Sequence, residues 1–190
     1  TSLYCFRFKV KILFIGLIIS ISNISFSQNL QSFIPLNYEI FDSLSFDFNE
    51  DKISDKILIL ERVVNDEDSF SVQSKRPFLI LQGIGNSKYK LKLRNDNIIL
   101  DAQSGGMYGD PYQGMNADNN SIGIFHHGGT SWRWDINDNY IYNKEKDTWY
   151  LINETTSSFW LFNIDSTYTE EIKNFTEKDT ITIENYYLEN

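Results

Sequence analysis

Asp47-Phe48-Asn49-Glu50-Asp51-Lys52-Ile53-Ser54-Asp55 leads without a break into Lys56-Ile57-Leu58-Ile59-Leu60, and the reading of the chain turns on this stretch. Its second half predicts a buried strand from Lys56 to Val64, rich in Ile, Leu and Val. Its first half sets side-chain oxygens at loop positions one, three, five and nine, on Asp47, Asn49, Asp51 and Asp55, with the Ile53 carbonyl at position seven. One short turn wraps a hard cation such as calcium with that spacing. Three carboxylates so close in sequence repel one another unless a cation lies among them. An EF-hand is excluded, because position twelve is Leu58 instead of a bidentate Glu and the flanks are strand-like.

Outward from the loop the pattern stays β. Tyr38 to Phe41 reads as a short extended piece, and Pro35 discourages a helix before it. Asn65 to Ser69 reads as a polar turn, with Ser69 to Ser74 exposed, and Pro77 to Gln82 is a second apolar strand. Lys88 to Leu93 alternates with period two, turning Tyr89, Leu91 and Leu93 inward and the lysines outward, as a solvated or edge-guarding face. Asn95 to Asn97 is a turn, with Ile98 to Leu100 returning as a strand. Gln103 to Asn120 reads as a long irregular connection, of the kind that is functional or mobile. Further strands are expected at Ser121 to His126, Ser131 to Ile136, Tyr140 to Tyr142, Thr148 to Ile152, Ser158 to Ile164 and Thr180 to Tyr186. Gly128-Gly129, Asn137 to Asn139 and Asn143 to Asp147 are read as turns, and Thr167 to Thr176 as the one place for a short helix. Short strands at such intervals predict an all-β, mainly antiparallel single domain over 28–190: a sandwich, a meander or a partial propeller-like sheet.

The acidic loop resembles the calcium loop of integrin-type FG-GAP and related VCBS repeats, D-x-[DN]-x-D-G-x-x-D between two strands. The resemblance covers nine residues and implies a calcium ion held by Asp47, Asn49, Asp51, Ile53 and Asp55. Lys52 stands where that family has Gly, and a non-Gly residue in a left-handed turn costs on the order of 1 kcal/mol. A single loop does not make a seven-bladed propeller. The order of this loop, then Gly105-Gly106-Met107-Tyr108-Gly109-Asp110-Pro111-Tyr112, then Gly128-Gly129-Thr130-Ser131-Trp132-Arg133-Trp134, is similar to a group of uncharacterised exported bacterial proteins. That similarity implies fold and location and carries no activity.

Residues 1–27 differ from the remainder. Arg7, Lys9 and Lys11 precede an apolar run from Ile12 to Ile24, and Ser25-Phe26-Ser27 supplies small residues before Gln28, the pattern of a secretory signal peptide. The run is short for a membrane span, which needs about 20 apolar residues; an uncleaved N-terminal anchor is the alternative. Export to the periplasm or the extracellular space is therefore expected. The only Cys, Cys5, lies ahead of the apolar run, so neither lipidation after it nor a disulfide in 28–190 is available. The chain carries a formal charge of −9; without the three positive charges of the leader, 28–190 stands at −12. Such a surface argues against nucleic acid, and no membrane span is expected in 28–190.

Candidate binding residues follow from the Gly- and Trp-marked segments: Tyr108, Asp110, His127, Trp132 and Arg133. On a strand Trp132 and Trp134 share one face, with Arg133 and Asp135 on the other. Exposed Trp and Tyr beside Arg anchor sugars or peptides, whereas buried ones are a core stripe. His126 and His127 point to opposite faces and cannot chelate one metal together. Two functional classes result. One is a non-catalytic module binding a protein, peptide or glycan, steadied by calcium. The other is a hydrolase centred on His126 or His127, with Asp101 or Asp110 and Ser104 or Ser131; no nucleophile elbow accompanies it.

Overall fold

A computed structural model describes residues 29–63 and 75–188. The leader, the 65–69 turn and the 69–74 segment lie outside the described residues. Two antiparallel sheets pack face to face with no closed barrel. Sheet A has the order β1 (Tyr38–Phe46), β2 (Asp55–Arg62), β3 (Phe78–Gly83), β4 (Tyr89–Asn95). Sheet B has the order β5 (Tyr112–Asp118), β6 (Ser121–Gly129), β7 (Trp132–Asn143), β8 (Thr148–Trp160), β9 (Thr169–Asn174). Every strand pairs with its sequence neighbours, so each sheet is a meander. The all-β expectation is met, as a two-sheet sandwich.

The run Ile57 to Leu60 is apolar at consecutive positions because sheet A is covered on both sides. Ile57 and Ile59, with Phe78, Ile80 and Leu93, face sheet B and meet Ile122, Ile124, Tyr140, Tyr142, Trp149 and Leu151. Leu58 and Leu60 face the other way with Leu79 and Leu81, beneath Leu30, Phe33 and Ile34 of the lead-in. A one-turn 3-10 helix at Leu30–Phe33, capped by the Asn29 side chain on Ser32 N at 3.2 Å, holds that cover in place. Each fully buried aliphatic side chain contributes about 1.5–3 kcal/mol, so the two layers together dominate the stability of sheet A.

Several expectations are corrected. The strands expected at 131–136 and 140–142 are one strand, β7, and those at 148–152 and 158–164 are one strand, β8, ending at Trp160. Asn137-Asp138-Asn139 is strand interior: Asn139 Nδ2 donates to Asn153 Oδ1 across the sheet at 2.9 Å, so amides satisfy each other where a turn was expected. A bulge at Ile152 lets Asn139 pair with Asn153 and Tyr140 with Leu151, which turns the polar residues after Asn153 onto the alternate face. Leu91 is half exposed because a bulge in β4 breaks the period-two pattern. Ile98 to Leu100 are buried without forming a strand, and β5 lies inside the stretch expected to be irregular. The short helix is Ile164–Thr167, while Thr169–Asn174 is β9; Thr182 makes only a bridge to Tyr150.

Asp138 is fully buried on the inner face of sheet B, its Oδ2 without a hydrogen-bond partner among the described residues. Burial first, then the charge of cross-strand Glu154, pushes its pKa up to about 7, against a weak hydrogen bond from the Tyr186 hydroxyl. The folded chain therefore binds a proton that the unfolded chain has lost once the pH exceeds 3.8. This contribution is complete below that value and disappears as the pH rises through about 7. Asp138→Asn should flatten the fall in stability over this window relative to the native chain. Urea denaturation at several pH values measures it, and parallel pH curves for the two proteins would contradict it.

Candidate functional site

The acidic loop joins β1 to β2, and its second residue turns inward. Phe48 packs edge-on against Tyr142 and Trp149, both at 4.8 Å, and pins the loop to the core. The remaining side chains close the turn on its own backbone. Asp47 accepts from Asp51 N at 3.2 Å and Lys52 N at 2.8 Å, Asn49 Oδ1 from Asp51 N at 3.1 Å, and Asp51 Oδ1 from Ile53 N at 2.7 Å. Lys52 takes the left-handed φ of +67° at the position where the resembling family has Gly. Asp55 is buried, and its two oxygens accept from Phe48 N and Gly83 N. Burial above all, with the charges of Asp51 and Asp47 adding, raises its pKa to about 6.

Among the described residues no lysine or arginine is paired with Asp47, Asp51 or Asp55. No group of three carboxylates or imidazoles is arranged around one point there. The donor chemistry is oxygen only, which suits a hard cation, and an oxygen that accepts one N–H keeps a second lone pair.

The candidate binding residues divide among three places. Asp110 turns into the junction between the sheets, where Arg76, 1% exposed, donates to its two oxygens at 2.7 and 2.6 Å and to Glu61 at 2.5 Å. Burial would raise the Asp110 pKa, but the Arg76 hydrogen bonds and the Tyr112 N–H bring it below the ordinary value. The Arg76 guanidinium also lies 4.1 Å over the Phe41 ring, at the bulge of β1. Arg76 went unnoticed in the sequence because nothing local marks a lone Arg before a Pro as buried.

Tyr108, His127 and Arg133 come together at the far end of sheet B, on its outer face. The Tyr108 ring stands edge-on to His127 at 4.5 Å, with the Arg133 guanidinium 5.0 Å above it. Register carries the site across the sheet, as His127 pairs with Asp135, Asp135 with Ser157 and Ser157 with Glu170. Asp135 Oδ1 lies 2.7 Å from His127 Nδ1, and its Oδ2 accepts from the Ser157 hydroxyl at 2.7 Å. A carboxylate can only accept, so Nδ1 carries the proton of this hydrogen bond. Phe159 and Tyr168 stack beyond His127, and a groove of about 310 Å³ runs along the row past Gln113, Asn137 and Thr155. Asp135 was legible from its two-residue spacing to Arg133; Ser157 and Glu170 enter only through strand register.

Trp132 lies on the inner face, opposite this groove and 56% exposed, beside its cross-strand partner Trp160. Trp134 lies flat across Gly128, where a Cβ would sit 2.3 Å from the indole. The expected Gly128-Gly129 turn is thus the end of β6, and the turn itself is Thr130-Ser131. Within each glycine pair only the second residue is left-handed, Gly106 at +65° and Gly129 at +109°. The first allows a close approach, to the Gly109 carbonyl in the case of Gly105.

His126 is buried on the inner face. Its Nε2 accepts from Leu100 N, and burial drives its pKa down to about 4 against the pull of Asp110. Asp101 accepts from Gln103 N and the Ser104 hydroxyl. The hydroxyl nearest the His127–Asp135 pair, Ser157, donates to the aspartate instead of to the imidazole. No helix among the described residues is long and apolar enough to cross a membrane. Comparison of the chain with family models, curated proteins and solved structures finds no match.

Arg76→Met leaves Glu61 and Asp110 facing each other without their shared cation. A cost of about 3 kcal/mol is expected, the scale for breaking a buried ion pair on one side. Chemical denaturation measures it; a loss under about 1 kcal/mol would mean that water replaces the guanidinium.

Proposed function

We propose that the chain is an exported, non-catalytic binding module that takes a glycan on the outer face of sheet B, with calcium steadying the β1–β2 loop. The observation that carries this reading is the His127–Asp135–Ser157 row along an open groove, with the Tyr108 and Phe159 rings packed on His127 at its end. Polyhydroxylated ligands need this pairing of features. Aromatic rings offer apolar faces to sugar C–H groups, while carboxylate, amide and hydroxyl groups placed by strand register take the hydroxyls. The Asn137, Asn139 and Asn153 amides extend the polar face along the same strands.

The reading is tested by affinity electrophoresis of the chain through gels carrying soluble polysaccharides. Retardation by at least one of them is expected, and Tyr108→Ala and Asp135→Asn should each weaken it about tenfold, as loss of a central anchor does. Mobility unchanged by any polysaccharide, or equal retardation of both variants and the native chain, would sink the proposal. One observation favours a hydrolase as the second reading. Asp135 orients His127 through Nδ1, and Nε2 has no hydrogen-bond partner among the described residues, the arrangement of a general base. Release of product from a retarding polysaccharide, abolished by His127→Ala, would favour it over the binding module.

Support for calcium comes from the oxygen-only donors of the loop, their lack of a cationic partner among the described residues, and the left-handed backbone at Glu50 and Lys52 that closes the turn. Asp47, Asn49, Asp51 and Asp55 would hold the ion, together with the Ile53 carbonyl, and the ion would neutralise the carboxylates at the entry to β2. The chain should melt several degrees higher in millimolar calcium than in chelator, and Asp51→Ala should erase the difference. Melting curves that coincide with and without calcium would end the calcium proposal and leave the glycan proposal standing.

A further inference from the structure

Three segments meet at the far end of sheet B: the 105–109 turn, the β6–β7 turn at 129–133 and the exit of β8 at 160–164. Backbone hydrogen bonds tie them into one unit, from Gly129 N to Gly105 O at 2.9 Å and from Leu161 N to Ser131 O at 2.8 Å. The side chains they present are large and apolar. Met107 is 88% exposed and Phe162 74%, with Trp132, Trp160, Leu161 and Ile164 between about two-fifths and three-fifths. Trp160 and Phe162 pack edge to face at 5.5 Å, and Trp132 sits directly across from Trp160. An apolar patch that sits together in this way on a folded chain marks an interaction surface.

Charge identifies its occupant. In a chain of formal charge −9, these three segments hold no Asp or Glu and a single cation, Arg133. Carboxylates begin immediately outside them, at Asp110, Asp135 and Asp165. A protruding end with Trp, Phe, Leu and Met at its tip, stripped of anions and supported by a rigid sheet, has the composition that settles at the boundary between lipid headgroups and acyl chains. Arg133, the one cation of the three segments, donates to the Gly129 carbonyl at 3.2 Å.

We propose that this end of sheet B inserts shallowly into the surface of a lipid bilayer with zwitterionic headgroups. The acidic body disfavours anionic membranes, since its charge acts over a Debye length of about 8–10 Å. The tip shares Tyr108 and Arg133 with the proposed glycan site, but Leu161 and Phe162 lie outside the groove, so the two proposals are tested by different substitutions.

The test is sedimentation of the full chain with phosphatidylcholine vesicles, against the same chain carrying Leu161→Asp and Phe162→Asp. Both sites are exposed, so the variant should keep the native melting temperature, and a common N-terminus cancels from the comparison. The native chain should partition about fivefold more strongly, with its tryptophan emission quenched by phosphatidylcholine brominated on the acyl chains. Exchanging half of the lipid for phosphatidylglycerol should weaken binding, and added salt should restore it. Equal sedimentation of the two proteins, or emission unaffected by the brominated lipid, would overturn the proposal. So would a concentration-dependent dimer that the two substitutions abolish without any vesicle binding, which would assign the tip to a second copy.

Discussion

A strand pair with no solvated face leaves its polar ends only specific partners to turn to, and β2 with β3 is such a pair. Ile57 and Ile59 pack toward sheet B while Leu58 and Leu60 pack under the lead-in, and Phe78 to Leu81 repeat the pattern. Buried polar groups next to such a slab must be satisfied within the protein. At one end of β2, Asp55 takes the N–H groups of Phe48 and Gly83 and so locks the acidic loop to β3. Near the other end, Arg76 collects Glu61 and Asp110 and fixes the 101–111 connection against β2. The loop and the path of the chain into sheet B both hang from this slab.

Sheet B outruns its partner. β7 and β8 are 12 and 13 residues long, whereas the longest strand of sheet A has 9. Where the sheets overlap, the inner face of sheet B carries Ile122, Ile124, Tyr140 and Trp149; beyond the overlap the same face carries exposed Trp132 and Trp160. The overhang therefore has two solvated faces and a free end. A polar row held by register lies on the outer face, and an apolar tip forms the end.

Much of this was legible locally. The strand at Lys56 and the opposite facing of His126 and His127 follow from period-two geometry and residue type, whereas the alternation expected of β4 is broken by its bulge. Trp132 and Arg133 were correctly placed on opposite faces for the same reason. What misled was polarity. Asn137-Asp138-Asn139 and the stretch from Asn153 to Ser157 have the composition of turns, yet they run straight because the amides pair across strands and one bulge shifts which residues face inward. Asp110 had the look of a ligand residue beside a Gly-rich turn. It is instead held by Arg76, 34 positions away in the chain.

The sequence by itself determined an all-β chain, the position of its most buried strand and an oxygen-rich turn in front of it. These are properties of neighbouring residues, set by side-chain period and by what a single turn can bring together. Only the tertiary structure decided that His127, Asp135 and Ser157 form one row, that Arg76 is buried between two carboxylates, and that the apolar residues of three separate segments share one exposed end. Each depends on register between strands and on how far one sheet extends past the other, and long-range pairing of that kind leaves no mark in any short stretch of sequence.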